Sequence, residues 1–492
     1  MSGNEREGQA PLLEVKDFSM SFLTYEKGLK EADLEVVKNF NMTIHEGEIV
    51  AVLGASGSGK SLLANAILGI LPENARTSGT LNYKGEALTE KRQEVLRGKE
   101  ISLIPQSVNA LDPLMKAKKQ VRSMVRGRHK KAVQRDVFQK VGLSESVGEN
   151  YPFQLSGGMA RRVLAATSMI SSAKLVVADE PTPGLDPAVL QETVKQLRRL
   201  ADEGKGMMFI THDIEIALQV ADKIAVFYEG ETIEIASAED FSGEGERLVH
   251  PYTKALWNAL PGNGFKSSVH PEGMRHLNYK CMHDAASERY PLDVEKISYH
   301  YPGQPPVFEG LSMQIMPGEI VGIYGNSGSG KSTMAQIIAG YRDPSEGMVQ
   351  IGRKRILQKG IHPVQMIWQH PEKAVNPRWR IRKALLEAGP LNPELLDIFG
   401  IRQEWLKRWP GELSGGELQR FCLVRALTGD IDYLIADEMT TMLDAVTQAQ
   451  IWHSLIKLSK ERGIGVAAIS HDYQLLEKVC DRIIHFTDLQ NS

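Results

Sequence analysis

The chain has 492 residues, 42% of them hydrophobic and 24% charged, with a formal net charge of −3. That is too long for one core, so two or three domains are expected, and the balanced charge gives no hint of nucleic acid as the main partner. Cys281, Cys422 and Cys480 show no C-x-x-C spacing, which argues against a disulfide framework or a cysteine-built metal cluster.

In chain order, the polar, acidic start Met1–Glu7 does not read as a signal peptide, and no apolar run reaches bilayer-spanning length. If the protein works at a membrane, other chains supply the pore. The strand-like run Ile49–Leu53 leads into Gly-Ala-Ser-Gly-Ser-Gly-Lys-Ser at 54–61 and then a helix-like stretch. This is a phosphate-binding loop. Its glycines would let N–H groups face phosphate oxygens at a helix N-terminus, Lys60 would reach the β- and γ-phosphates, and Ser61 would place a hydroxyl on Mg²⁺. Gln106 follows, then Leu-Ser-Gly-Gly from Leu155, an acidic pair Asp179-Glu180 closing an apolar strand, and His212 after Met207–Thr211.

The whole series then repeats. Ile320–Tyr324 precedes Gly-Asn-Ser-Gly-Ser-Gly-Lys-Ser at 325–332, followed by Gln369, Leu-Ser-Gly-Gly from Leu413, Asp437-Glu438 and His471. From Ser156 to Glu180 and from Ser414 to Glu438 the step is 24 residues; from Glu180 to His212 it is 32, and from Glu438 to His471 it is 33. Lys60 to Gln106 is 46, against 38 for Lys331 to Gln369. The back half of each copy keeps its register while the front half tolerates insertions. A period of about 260 residues is too long for a solenoid and means two homologous domains in tandem. Strands alternating with helices, as in Leu175–Ala178, Pro187–Leu200 and Met207–Thr211, predict βαβ crossovers and a mainly parallel sheet, with ligands at the strands' carboxyl ends. The reading is a first domain over 1–261, a linker over 262–290 rich in small and turn-forming residues, and a second domain over 291–492.

Loop, glutamine, LSGG, acidic pair and histidine in this order resemble the ATP-binding cassette (ABC) ATPases, over nearly the whole chain. The resemblance implies an α/β fold of two tandem P-loop NTPase domains. Each would have a mainly parallel core sheet with flanking helices, an antiparallel β subdomain and a small helical subdomain. It implies ATP and Mg²⁺ as ligands and intramolecular pairing of the two domains, head to tail. Gly54, Ser56, Gly57, Gly59, Lys60, Ser61 and Leu62 would then hold one ATP, closed by Ser414, Gly415 and Gly416. Gly325, Ser327, Gly328, Gly330, Lys331, Ser332 and Thr333 would hold the other, closed by Ser156, Gly157 and Gly158. Ser61, Gln106 and Asp179, and Ser332, Gln369 and Asp437, are the expected Mg²⁺ groups. Glu180 and Glu438 are the expected general bases, with His212 and His471 on the γ-phosphate and Gln106 and Gln369 sensing metal and water. Asp186 and Asp444 match the loop that communicates across the pair. Phe22 and Tyr301 hold equivalent places in VKDFSMSF and VEKISYHY, either as adenine-stacking rings or as edge-strand aromatics.

Two departures stand out. The first signature continues Met159-Ala160-Arg161-Arg162, where a polar residue and glutamine are commoner before the arginine. The second acidic pair is followed by Met439-Thr440 instead of proline. Both sites are still read as hydrolytic, with room for unequal rates.

The block His250-Pro251-Tyr252-Thr253-Lys254-Ala255-Leu256 resembles the tail of ATPases serving peptide and nickel importers, as do Asn109–Pro113 and Ala374–Arg378. The chain looks like a fusion of the two ATPases such importers use. The implied partners are two membrane permease subunits and an extracytoplasmic solute-binding protein, with the chain peripheral on the cytoplasmic face. The cargo would be peptides, nickel or metal–chelate complexes. With only Cys281 in the stretch directly following the tail, no iron–sulfur cluster is expected. The basic stretch between Lys116 and Lys131 reads as a solvated helical face, or as a surface for anionic lipid or acidic permease loops. The alternative function is a soluble tandem cassette acting on ribosomes or nucleic acid; the short Gly- and Pro-containing linker speaks against it. An export role is a third, minor reading.

Overall fold

The computed structural model describes residues 10–26, 30–55, 57–125, 127–182, 187–266, 289–326, 328–352, 354–355, 362–441 and 443–490. They fall into two compact units, one ending at Lys254 and the other beginning at Ala255. Ser56, Ser327, Arg126, Asp186, Cys281, Met442 and most of the 262–290 linker lie outside the described residues.

The first unit begins with β1 (Leu13–Glu26), β2 (Lys30–Ile44), β3 (Ile49–Leu53), α1 (Lys60–Leu68), β4 (Ala75–Tyr83), β5 (Glu86–Ala87), α2 (Glu90–Leu96) and β6 (Ile101–Ile104). The helical segment α3 (Ala117–Ser123), α4 (Lys130–Lys140) and α5 (Gly157–Ile170) follows. Then come β7 (Leu175–Asp179), α6 (Pro187–Asp202), β8 (Gly206–Thr211), α7 (Ile214–Val220), the hairpin β9 (Lys223–Tyr228) and β10 (Glu231–Ser237), and α8 (Pro251–Asn258). Two sheets result: an antiparallel one ordered β2-β1-β4-β5, and a core ordered β10-β9-β3-β8-β7-β6. All core pairings are parallel except β9 with β10.

β3, β7 and β8 are buried at every position, as parallel strands covered on both faces must be. Val50, Val52, Leu63, Ile67, Leu175 and Val177 share one cluster. Each such side chain contributes about 1.5–3 kcal/mol on burial, and together they fix α1 against the sheet. The helical segment has its own small core, with Val121, Phe138, Val163 and Leu164 buried together.

The second unit repeats the plan: β11 (Leu292–His300), β12 (Pro306–Ile315), β13 (Ile320–Tyr324), α9 (Lys331–Ile338), β14 (Glu346–Ile351), β15 (Lys354–Arg355) and β16 (Val364–Ile367). Its helical segment is α10 (Pro371–Ala374), α11 (Ile381–Leu386), α12 (Pro393–Ile398) and α13 (Gly415–Leu427). It closes with β17 (Tyr433–Asp437), α14 (Ala445–Arg462), β18 (Gly465–Ser470), α15 (Tyr473–Val479), β19 (Arg482–His485) and α16 (Phe486–Leu489). The antiparallel sheet runs β12-β11-β14-β15, and the core β16-β17-β18-β13-β19 is parallel throughout.

This topology gathers the motif residues. In the core order β3-β8-β7-β6, Leu53 pairs with Thr211, Asp179 with Ile210, and Ile104 with Ala178, so the four strands finish at one edge. The phosphate loop, His212, Glu180 and Gln106 each follow directly. Tyr324 with Ser470, Asp437 with Ile469 and Ile367 with Ala436 do the same in the second unit.

The His250–Leu256 block packs in two parts. Val249 and His250 donate their N–H groups to the Glu234 carboxylate at 2.7 and 3.0 Å, and the Tyr252 ring lies 3.9 Å from Tyr228. Leu256 and Phe265 are buried, and Phe265 stacks at 5.2 Å on His453 of α14. The compact units therefore divide a few residues ahead of position 261, because the apolar end of this tail packs with the second unit.

Candidate functional site

Each phosphate loop bends through left-handed glycines: Gly57 and Gly59 have φ of 79° and 97°, Gly328 and Gly330 of 81° and 104°. Only glycine adopts these angles freely. Gly59 and Gly330 are also closely approached; a Cβ there would sit 2.9 Å from Val36 Cγ1 and 2.7 Å from Val307 Cγ1. Gly54 leaves no room either, since its Cβ would meet the Phe227 carbonyl at 2.4 Å.

The loop lysines are almost wholly buried, Lys60 at 4% and Lys331 at 5% exposure. Lys60 Nζ donates to the Gly54 and Ala55 carbonyls at 2.8 and 2.6 Å. Lys331 Nζ donates to the Gly325 and Asn326 carbonyls, both at 2.7 Å. Burial lowers the Lys331 pKa against the pull of Glu438 and Asp437. Leu62 packs partly buried on the core, and Thr333 lies 3.5 Å from the Tyr301 hydroxyl.

Around the acidic pairs the two units agree closely. Gln106 Nε2 donates to Glu180 Oε2 at 2.8 Å, and Gln369 Nε2 to Glu438 Oε2 at 2.8 Å. His212 Nδ1 lies 3.2 Å from Glu180 Oε1, and His471 Nδ1 lies 3.2 Å from Glu438 Oε1. Burial pushes both glutamates up, but each ends lowered: the histidine and loop lysine outweigh burial in both, and Gln106 helps in the first. His212 is raised because Glu180 overcomes its burial, and His471 is raised mainly by its bond to Glu438. Each glutamate is thus an ionised acceptor held at both oxygens.

The aspartates differ from them. Burial raises both Asp179 and Asp437, opposed by the hydroxyls of Ser61 and Ser332. Ser61 Oγ donates to Asp179 Oδ1 at 3.1 Å. Asp437 Oδ1 is buried with no hydrogen-bond partner among the described residues. A buried carboxylate oxygen lacking a donor is what a hard divalent cation satisfies, so these residues fit Mg²⁺.

Ser156 caps α5, accepting from Met159 N at 3.3 Å; Ser414 caps α13, accepting from Glu417 N at 3.2 Å. A Cβ on Gly157, Gly158 or Gly415 would meet nothing within 4 Å, while on Gly416 it would touch Leu443 at 3.4 Å. These helix starts present N–H donors beside open space, as an anion site needs. Asp444 caps α14 through Thr447 N at 3.0 Å. Phe22 is half-buried on β1 against the core. Tyr301 meets Tyr299 edge-on at 5.2 Å and carries Arg342 over its ring at 5.5 Å.

Three features escaped the sequence reading. Glu180 and Glu438 have φ of 44° and 47°, rare and strained for a residue with a side chain. Asp222 and Asp481 each accept the first N–H of the strand leading into the phosphate loop, from Ile49 of β3 and Ile320 of β13 at 2.8 Å. Their signal was present, as an aspartate directly before the last parallel strand in both copies. The third is the setting of Arg161, whose Nη1 is buried without a partner among the described residues.

The ABC transporter family model matches residues 37–183 and 308–441. The chain is 30% identical to the uncharacterized ABC transporter ATP-binding protein YejF of Escherichia coli (strain K12), over 91% of its own length and 90% of that protein. It is 28% identical to the glutathione import ATP-binding protein GsiA of Salmonella choleraesuis (strain SC-B67), over 92% and 81%. Among solved structures, RNase-L Inhibitor superposes with a TM-score of 0.63 at 22% identity, covering 96% of this chain and 87% of that one. Archaeal ribosome recycling factor aABCE1 gives 0.62 at 21%, covering 94% and 87%. At that identity the two structures speak for the fold alone.

Proposed function

This chain belongs to the ABC transporter family as a tandem ATP hydrolase of the peptide and nickel importer branch, and on that premise we propose that it energises an importer. The observation that carries the importer reading is similarity over nine-tenths of the chain to a relative named for glutathione import. Separate permease subunits would form the path, and a solute-binding protein would deliver cargo. No helix among the described residues is long and apolar enough to cross a membrane, so the chain would work against the membrane face. Peptides rank ahead of nickel and metal chelates as cargo because of that relative's name.

Each phosphate loop would hold one ATP. Lys60 and Lys331 would exchange their own-loop carbonyl bonds for phosphate oxygens, and the signature serines and glycines would supply further donors to a triphosphate. Mg²⁺, held by Ser61, Asp179 and Gln106 or by Ser332, Asp437 and Gln369, would neutralise phosphate charge. Gln106 can serve both neighbours, since its amide nitrogen faces Glu180 and leaves its oxygen for the metal. Glu180 and Glu438 would align water and take its proton as the new O–P bond forms and the γ–β bridge breaks. His212 and His471 would keep the carboxylate in place and contact the γ-phosphate.

The test is uptake in a strain lacking the chain, comparing glutathione, dipeptides, nickel and a nickel–chelator complex. Restoration of uptake of one cargo by the intact chain, and none by a Lys60→Ala/Lys331→Ala chain, supports the reading. Unchanged uptake of all four, with the chain sedimenting on ribosomes, would transfer it to the soluble-cassette class.

A further inference from the structure

The two phosphate loops are alike, but the matched rings Phe22 and Tyr301 are held by different means. Eleven residues after the loop lysine, the first copy has Leu71 and the second has Arg342. Two residues before the matched ring, the first has Met20 and the second has Tyr299. Phe22 and Leu71 both pack on the apolar cluster that buries Met20. In the second copy a cation takes that place. The Arg342 guanidinium lies over the Tyr301 ring, 5.5 Å from its centroid, and over the Tyr299 ring at 5.9 Å. Its Nη1 donates to the Tyr299 hydroxyl at 3.1 Å, and its Nε donates to the side-chain oxygen of Gln336 on α9. Tyr299 in turn meets Tyr301 edge-on at 5.2 Å.

A guanidinium can do all of this at once, because it combines planar N–H donors with a flat cationic face that aromatic rings attract. Arg342 therefore ties the ring at the end of β11 to the helix that opens with Lys331. The Tyr301 hydroxyl lies 3.5 Å from the hydroxyl of Thr333, directly after Ser332. A base tethered to phosphates on that loop would be within reach of the ring. The cation occupies one face of Tyr301 and leaves the opposite face to stack on a flat partner.

We propose that Arg342 is a positioning residue for the purine ring at the second ATP site, holding Tyr301 as a fixed stacking platform. The inference rests on the reading of Tyr301 as an adenine-stacking ring.

The experiment is isothermal titration calorimetry of the full chain carrying Lys60→Ala, which weakens the first loop so that the second is read. The probes are ADP and inorganic pyrophosphate with Mg²⁺; both offer phosphates, and only ADP carries a base. Arg342→Leu, which installs the residue of the first copy, should weaken ADP about fivefold or more. Pyrophosphate affinity should stay at the parental value, which also shows that the loop is still folded. Tyr301→Ala should weaken ADP by itself, and adding Arg342→Leu to it should cost nothing further, because the arginine acts through the ring. The inference is overturned if Tyr301→Ala weakens ADP and Arg342→Leu does not. It is also overturned if Arg342→Leu weakens pyrophosphate as much as ADP, or if its effect persists in the Tyr301→Ala chain. The reading of Tyr301 fails separately, by parental ADP affinity in the Tyr301→Ala chain.

Discussion

The glutamine, glutamate and histidine groups of the two units are near copies, and their surroundings are not. The glutamine–glutamate distance is 2.8 Å in both, the histidine–glutamate distance 3.2 Å in both, and the glutamate φ is 44° and 47°. Yet the His212 side chain is 10% exposed and that of His471 is 50%. The first signature helix carries Arg161 where the second carries Gln419, and the first core sheet adds an antiparallel strand that the second lacks among the described residues. A fixed distance set on strand ends tolerates change one layer away, because the parallel register places the groups and the surrounding helices only tune them. Differences in rate between the units should therefore trace to the neighbours, not to the triad of glutamine, glutamate and histidine.

The strongest way to break that statement is to remove the shared groups. If they are the general bases proposed, Glu180→Gln with Glu438→Gln should cut phosphate release by about a thousandfold or more while a fluorescent ATP analogue still binds, since a general base acts on the chemical step. Retained turnover would show that the likeness of the two sets is structural. Next in size is the loop itself. Gly59→Ala and Gly330→Ala both force a Cβ onto a valine at a left-handed angle. Each should cost about 1–3 kcal/mol in chemical denaturation of its own unit and weaken ATP binding. An unequal loss would mean the two loops are not equivalent.

Much of this was legible in the residues. The motif order and the constant 24-residue step pointed to both acidic pairs, and alternation of apolar runs with helices gave the parallel core. The structure adds what periodicity does not encode. A left-handed glutamate leaves no mark in composition, since its strain is held by the chain around it. The partnering of Asp222 and Asp481 with strands 173 and 161 residues away is a long-range bond that no local pattern announces. Arg161 was visible as a departure, but the small cleft it lines with Gln106 and Glu180 was not.

The signature helices separate the units more gently. Ser414 and Glu417 form a reciprocal capping box, with Glu417 accepting from Ser414 N at 2.7 Å; Ser156 has Met159 at that place and caps by its hydroxyl alone. Glu417→Ala should therefore lower stability of the second unit by about 1 kcal/mol, while Met159→Ala at the matching position should have no capping cost. Differential scanning calorimetry of the two variants would decide it.

The smallest effect concerns alkaline pH. Both described cysteines lie in the second unit, and burial pushes the Cys422 and Cys480 thiols from 9.0 up to about 12. Between these values the unfolded chain loses the thiol protons and the folded chain keeps them. The native state then binds more protons than the unfolded one, so stability falls as pH rises above 9. At pH 9.5 the loss is roughly 0.8 kcal/mol for each thiol, and it is negligible below pH 8. Cys422→Ala with Cys480→Ala should remove this slope, which urea unfolding at pH 8 and pH 9.5 would read as the difference between parent and variant. For the same reason neither thiol should react with maleimide at neutral pH in the folded protein, although both should after unfolding. Equal labelling before and after would show that the second core opens readily and that its agreement with the first unit is not maintained by packing.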